Sequence, residues 1–146
     1  MKQYQISDEY RTGNDRIDQQ HAKLLDYTWR AQELFTDENM LFKSDDIRKI
    51  LEGLEYYTLV HFTEEEEFME RLGYGEIEDH RKQHDDFRMR IRSFIERVPE
   101  LSLDTQDDML GEIFDYLQGW WKSHITHEDR KYVEFERENG LLAEEA

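Results

Sequence analysis

Cysteine is absent from this 146-residue sequence, and proline occurs only once. Without thiols the chain can form no disulfide bond, no thiolate metal site and no cysteine nucleophile. The single proline, Pro99, is expected to stop a helix, since it lacks a backbone N–H. No apolar run approaches the length of a membrane span, and residues 1–5 do not lead into a signal-peptide stretch. We therefore expect a cytoplasmic protein that does not interact with membranes.

Positive charge is also scarce. The 19 lysines and arginines face 36 aspartates and glutamates, which gives a formal net charge of -17. Such a chain repels nucleic acid and anionic membrane surfaces. A charged content of 38% could indicate disorder, but 13% aromatic residues and periodic apolar positions provide enough surface to bury. We therefore expect a folded, acidic protein that binds neither nucleic acid nor lipid.

Apolar residues recur at helical spacing in four segments, which predicts four amphipathic helices. Their approximate limits are residues 15–35, 44–71, 76–98 and 105–127. Short connections between such helices favour an all-α, antiparallel up-down-up-down four-helix bundle. We expect one domain over residues 1–146, made of an N-terminal arm at about 1–14, a bundle at about 15–130 and a short C-terminal tail at about 131–146.

Local signals mark where the first and last helices begin. Asn14 or Asp15 is expected to cap the first helix, whose inward stripe is predicted to extend as far as Phe35. Thr105 with Asp108 resembles a capping box at the start of the fourth helix. That helix is predicted to end or distort near residues 127–128.

Histidines and carboxylates occupy inward positions on all four predicted helices. His61 and Glu65 are four residues apart, so they lie on one helix face. The same spacing relates His80 to His84, and three further candidates stand on the first and last helices: His21, His124 and Asp129. A single histidine on an apolar face is more often a hydrogen-bonded core residue than a ligand. Seven polar side chains in a core would each cost about 1 to 3 kcal/mol if unpaired, so together they indicate a metal site.

The number of candidate ligands indicates more than one metal ion. Five imidazoles and two carboxylates exceed the four ligands that close a structural zinc site. Two ions bridged by both carboxylates would use all seven side chains. Imidazole and carboxylate together suit iron, although a zinc or manganese pair is also compatible with these donors.

The arrangement of these residues resembles the hemerythrin family, and the lead-in at residues 17–21 is similar to its bacterial branch. The resemblance extends from about Tyr10 to Tyr132 and rests on these motifs: Gln20-His21, His61-Phe-Thr-Glu-Glu65, Gly73-Tyr74, His80-x-x-x-His84, Trp120-x-x-x-His124-Ile125 and Asp129. It implies an oxo- or hydroxo-bridged pair of iron ions, with Glu65 and Asp129 as the bridging carboxylates. One iron would take His80, His84 and His124. The other would take His21 and His61, and would keep one position open for dioxygen.

Five apolar residues near these motifs are candidates to line the ligand pocket: Leu24, Phe62, Trp120, Trp121 and Ile125. Plain core packing is the alternative interpretation for each, since aromatic residues at helical spacing usually belong to a core. Trp121 departs from the family pattern, which usually has leucine directly after the first tryptophan. A second indole at this position could narrow the pocket or shield the bound ligand.

The resemblance implies reversible dioxygen binding by a carrier, store or donor that is not an enzyme, with small anions such as azide as further ligands. Three alternatives use the same side chains: a sensor acting through a separate protein partner, a di-iron peroxidase and a nitric-oxide scavenger. Iron storage is disfavoured, because no carboxylate-lined path is evident in the sequence. The acidic runs at residues 64–67 and 134–138 are expected to be solvated faces, apart from Glu65.

Overall fold

Residues 12, 14–124 and 129–138 are described by a computed structural model, Arg130 by its backbone only. The described part contains five α-helices, and a short 3-10 turn, Val98–Glu100, follows the third. The helices are α1 (Asp15–Thr36), α2 (Ser44–Leu72), α3 (Ile77–Arg97), α4 (Gln106–Ser123) and α5 (Arg130–Glu138).

Helix ends follow the local sequence in most cases. The side chain of Asn14 accepts a hydrogen bond from the backbone N–H of Ile17 and caps α1 as predicted. Gly73 ends α2 in the left-handed region at φ 68°, where a residue without Cβ is favoured. The predicted capping box of α4 is wrong, because Thr105 makes no capping hydrogen bond. Its Oγ1 instead accepts the N–H of Ser102 at 2.9 Å, which closes the turn before the helix.

The first four helices form the predicted bundle. α1 packs against both α2 and α4, and α2 packs against α3. α3 and α4 meet through larger side chains, such as Phe87 stacked on Tyr116 with 5.9 Å between ring centroids. Neighbouring helices joined by short connections run antiparallel, so the up-down-up-down arrangement is confirmed.

One end of the bundle interior is built mainly from apolar side chains, with Lys43 and Gln106 buried at its rim. It lies where α1 and α3 finish and α2 and α4 begin, and we call it the apolar end. Its buried side chains are Ala31, Leu34, Ile47, Leu51, Phe94, Val98, Met109 and Ile113.

The last turn of α1 differs from the predicted stripe. Phe35 is 45% exposed, whereas Leu34 is buried at 8%. Both residues are compatible with helical spacing after Ala31, because a period of 3.6 alternates between steps of three and four. The structure takes the step of three, and Phe35 lies at the edge of the bundle near Gly111 of α4.

α5 docks on the bundle near the start of α1 and the end of α2. Tyr132 and Val133 pack in a second apolar cluster with Ile17, Met69 and Leu72. The expectation that residues 134–138 form a solvated face is wrong at one position, since Glu136 is fully buried. The prediction of an N-terminal arm and a fraying tail concerns residues 1–11 and 139–146, which lie outside the described residues. Each helix in the described ranges is too short or too polar to span a bilayer.

Candidate metal centre

All seven predicted ligand residues meet at the end of the bundle opposite the apolar end. None of them is more than 3% exposed. α1, α2 and α3 contribute five of them, and the segment between α4 and α5 contributes the other two. We call these seven residues the polar cluster: His21, His61, Glu65, His80, His84, His124 and Asp129.

The two carboxylates divide the histidines of the polar cluster into two sets. Glu65 Oε1 lies 3.1 Å from the Nε2 atom of His80 and 2.9 Å from that of His84. Its other oxygen, Oε2, lies 3.5 Å from His61 Nε2 and 3.8 Å from His21 Nε2. One carboxylate therefore faces both sets of imidazoles with different oxygens.

Asp129 repeats this arrangement. Its Oδ1 lies 2.8 Å from His80 Nε2 and 2.9 Å from His124 Nε2, and its Oδ2 lies 2.7 Å from His21 Nε2. We name His80, His84 and His124 the three-histidine set, and His21 and His61 the two-histidine set. In each set, one nitrogen of each histidine and one oxygen of Glu65 lie within 4.8 Å of one another. This spacing allows each set to bind one ion.

The two ligand candidates nearest the C-terminus, His124 and Asp129, both have a π-helical backbone. His124 and Asp129 are five residues apart, so an ideal α-helix would place them on different faces. A π-helix has more residues per turn than an α-helix, and its geometry suits this spacing of five residues. The sequence predicted a distortion in this region, and the residues between the two, 125–128, lie outside the described residues.

Three imidazoles donate hydrogen bonds away from the cluster. The Nδ1–H of His61 donates to Gln20 Oε1 at 2.6 Å, and that of His124 donates to Gln83 Oε1 at 2.8 Å. The Nδ1–H of His84 donates to Glu66 Oε2 at 2.7 Å. Because a neutral imidazole carries one proton, each of these rings presents the lone pair of Nε2 to the cluster.

The atoms of the polar cluster are arranged better for binding cations than for hydrogen bonding to one another. The Nε2 atoms of His84 and His124 lie 3.2 Å apart, so two lone pairs face each other. Within the described residues, the Nε2 of His61 and both carboxylate oxygens of Asp129 are buried without a well-aligned hydrogen bond. Buried polar atoms of this kind are costly, and a cation between them removes the cost. The residues present therefore fit a pair of metal ions with nitrogen and oxygen ligands.

In the absence of a cation, burial and neighbouring charges shift the pKa values of several residues in the polar cluster. Burial opposes protonation of His21, but the charge of Asp129 outweighs it and raises the pKa of His21 to about 9. In the same way, hydrogen bonding to Asp129 and Glu65 outweighs burial and raises the pKa of His80 to about 10. Burial dominates at His61, whose pKa falls to about 4. Although burial works against it, the surrounding histidines hold the pKa of Glu65 well below its usual range.

Two of the predicted pocket residues, Phe62 and Trp120, stack on rings of the three-histidine set, whereas the open ligand position was expected beside the two-histidine set. Phe62 stacks on His84 with 3.8 Å between centroids and an angle of 3° between the rings. Trp120 stacks on His124 at 4.2 Å and 18°. Leu24 is fully buried in the adjoining core, and Ile125 lies outside the described residues.

Trp121 is fully buried and its position is fixed by a hydrogen bond to α1. Its Nε1–H donates to Thr28 Oγ1 at 2.9 Å. Thr28 lies two turns beyond His21, and Trp121 lies one turn before His124. The indole therefore crosses from α4 to α1 at the border between the polar cluster and the rest of the core.

The sequence did not reveal the side chains that contact the cluster from outside. Tyr132 donates to Glu65 Oε2 at 2.9 Å, and burial raises the pKa of this tyrosine well above 10. The hydrogen bond from His84 keeps the pKa of Glu66 below its usual value. Glu66 was expected to be solvated with the rest of its acidic run, so that expectation is wrong at this position. Finding these partners requires the register between helices, which spacing within one helix does not give.

A surface cleft of about 300 Å³ between α1 and α2 reaches the cluster at Glu65. Its lining combines carboxylates with two arginines and includes Arg16, Gln20, Glu64, Glu65, Glu67 and Arg71. Glu64 accepts hydrogen bonds from Gln20 at 2.8 Å and from Arg16. Carboxylates therefore line a cleft beside the cluster, where the arginines offset part of their charge, and the side chain of Glu65 is buried behind it.

The fold and the polar cluster together define a helical bundle built to hold cations between its helices. Residues 12–135 match the family described as Hemerythrin HHE cation binding domain. The chain belongs to the hemerythrin family, as the sequence motifs predicted.

Individual relatives agree with this membership. The chain is similar to the bacteriohemerythrin of Clostridium acetobutylicum, with 35% identity over 127 residues that cover 87% of this chain and 96% of the relative. It is 32% identical to the bacteriohemerythrin of Pseudomonas paraeruginosa over 129 residues, which cover 87% and 77%. A crystal structure of wild-type hemerythrin has a TM-score of 0.70 at 22% identity, covering 88% of this chain and 93% of that one, a likeness that concerns the fold alone.

Proposed function

We propose that this protein binds dioxygen reversibly at a non-haem di-iron centre and acts as a carrier, store or donor of dioxygen. The observation that carries this proposal is the position of the two carboxylates. Glu65 and Asp129 each direct one oxygen to the three-histidine set and the other to the two-histidine set. Carboxylates placed in this way bridge paired metal ions in helical bundles.

The seven side chains would hold two iron ions. One ion would be bound by His80, His84 and His124, and the other by His21 and His61, with both carboxylates shared. The two-histidine set offers one nitrogen donor fewer, which leaves a ligand position on that side. Dioxygen would bind there, and small anions such as azide would compete for the position. A ferrous pair supplies, when bound, the two electrons that dioxygen takes up.

The chain's residues favour release of dioxygen over attack on a substrate. Five neutral imidazoles donate less charge than the carboxylates of di-iron oxidases, so high oxidation states are stabilised less. Phe62, Trp121 and Leu24 are fully buried and restrict water around the cluster. Limiting the supply of protons slows loss of the ligand as hydrogen peroxide, a loss that would leave the iron oxidised.

Reversibility decides between a carrier and the alternatives. Anaerobically purified protein should contain about two iron ions per chain and should gain a visible charge-transfer band in air. Removal of dioxygen under nitrogen, without a reductant, should remove the band, and readmitted air should restore it over several cycles. An enzyme of the peroxidase or nitric-oxide scavenging class, or a rapidly oxidised sensor, would convert irreversibly or turn over repeatedly with its substrate. Either result with fully iron-loaded protein would contradict the proposal.

A further inference from the structure

We propose that Glu66 is a positioning residue that makes the iron of the three-histidine set harder to reduce than a neutral partner of His84 would. This inference rests on the proposed function only in requiring iron in the polar cluster. It does not require dioxygen to bind. Glu66 acts through His84 and touches no reacting atom itself.

The contacts of His84 fix the plane of its ring and place a negative charge beside its Nδ1 atom. Its Nδ1–H donates to Glu66 Oε2 at 2.7 Å, and its Nε2 faces Glu65 Oε1 at 2.9 Å. Phe62 lies flat against the ring at 3.8 Å, so the imidazole cannot rotate without losing this contact. His84 is fully buried, and the side chain of Glu66 is only 21% exposed. The hydrogen bond therefore lies largely out of water, where a charge acts more strongly.

The other outward hydrogen bonds of the cluster have neutral acceptors. His61 donates to the amide oxygen of Gln20, and His124 donates to that of Gln83. Of the three imidazoles with an Nδ1 partner in the described residues, His84 alone has a carboxylate. Within the described residues, the three-histidine set therefore contains one imidazole whose Nδ1 has an anionic partner, and the two-histidine set contains none.

A carboxylate partner changes what an imidazole donates to a metal. A charge-assisted hydrogen bond draws the Nδ1 proton towards the carboxylate and raises the basicity of Nε2. A more basic ligand stabilises ferric iron more than ferrous iron, which lowers the reduction potential. Arg81 Nε lies 3.4 Å from Oε1, the other oxygen of Glu66, and weakens the effect without competing for Oε2.

Glu66→Gln tests the inference because it keeps an oxygen acceptor and removes the charge. We expect the midpoint potential, measured under argon without dioxygen, to rise. Each tenfold loss in the preference for ferric over ferrous iron raises a one-electron potential by about 59 mV. Glu67→Gln is the matched control, since it removes the same charge from the next residue, which is exposed. The control should leave the potential near that of the parent protein.

Gln83→Glu provides the reciprocal test, because it gives His124 the kind of partner that His84 has. Its potential should fall below that of the parent. A second readout needs no iron: in zinc-loaded protein, the Nδ1–H proton resonance of His84 should move upfield in Glu66→Gln. Unchanged potentials in both variants, with iron retained, would overturn the inference. If Glu66→Gln loses its iron, Gln83→Glu decides alone. A protein that fails to bind dioxygen reversibly but shows these shifts would disprove the proposed function and leave this inference standing.

Discussion

The two ends of the bundle interior use opposite kinds of side chain on the same four helices. At the apolar end, Leu51 and Ile47 are fully buried and Phe94 is 1% exposed. The polar cluster lies about 20 Å away along α1, at 1.5 Å per residue, and is buried to the same degree. Burial alone therefore does not distinguish the two ends, and only the chemistry of the buried groups does.

This difference separates the source of stability from the source of binding. Apolar burial stabilises a bundle whether or not a metal is bound. Buried charges cost more in lost hydration than their pairing commonly returns. The apolar end should therefore hold the metal-free protein together, while the polar cluster should depend on its cations.

The largest expected effect comes from replacing the residue that faces every histidine of the cluster. Glu65→Leu keeps a similar volume but removes both oxygens that face the two sets. We expect iron to fall from about two ions per chain to none retained after gel filtration. The far-ultraviolet circular dichroism of the metal-free protein should remain helical, because the apolar end is untouched.

If Glu65→Leu lost its helical structure together with its iron, the proposed division between the two ends would be contradicted. That result would show that the polar cluster holds the fold as well as the metal. Glu67→Leu, at an exposed position two residues away, provides the control for the added apolar side chain.

The sequence predicted the polar cluster better than it predicted the contacts around it. His61 with Glu65 and His80 with His84 lie at a spacing that helix geometry alone translates into a shared face. The choice between Leu34 and Phe35 depends instead on where α4 lies, so the periodic stripe could not decide it. The same limit explains why neither Glu66 nor Tyr132 was predicted to contact the cluster.

Leu51→Ala tests the apolar end directly. Leu51 is fully buried, and a Leu→Ala change in a core costs about 2 to 5 kcal/mol of unfolding free energy. We expect this loss in urea unfolding of both metal-free and metal-loaded protein, with the iron content unchanged. Leu59→Ala on the same helix is the control, because Leu59 is 52% exposed and should change stability by less than about 0.5 kcal/mol. A loss of iron in folded Leu51→Ala would show that the ends are not independent.

The pH dependence of stability should differ between the metal-free and metal-loaded forms. Without metal, His21 and His80 have pKa values of about 9 and about 10, above the ordinary 6.5. Their contribution is therefore fully present below pH 6.5 and is lost as the pH rises through 9 to 10. The thermal midpoint of metal-free protein should fall over this range. Metal-bound imidazoles are already neutral, so the loaded protein should show a smaller fall. Equal slopes for the two forms would contradict a role of these histidines as ligands.

The smallest expected effect lies at the border between the two ends, in the hydrogen bond from Trp121 to Thr28. A double-mutant cycle with Trp121→Phe and Thr28→Val should give a coupling energy of about 0.5 to 1.5 kcal/mol in metal-free protein. Both side chains are at least nine-tenths buried, so the bond is protected from water.

Repeating this cycle with metal-loaded protein decides to which end the contact belongs. Equal coupling energies in the two forms would assign Trp121 and Thr28 to the apolar end. Their contact would then be one that metal binding does not change. Coupling that grows by more than about 0.5 kcal/mol on loading, beyond the usual error of such cycles, would join the contact to the polar cluster. Only in that case would the indole respond to what occupies the cluster. Any effect of Trp121→Leu on azide affinity would then come from the ligand position itself, and not from a loosened core.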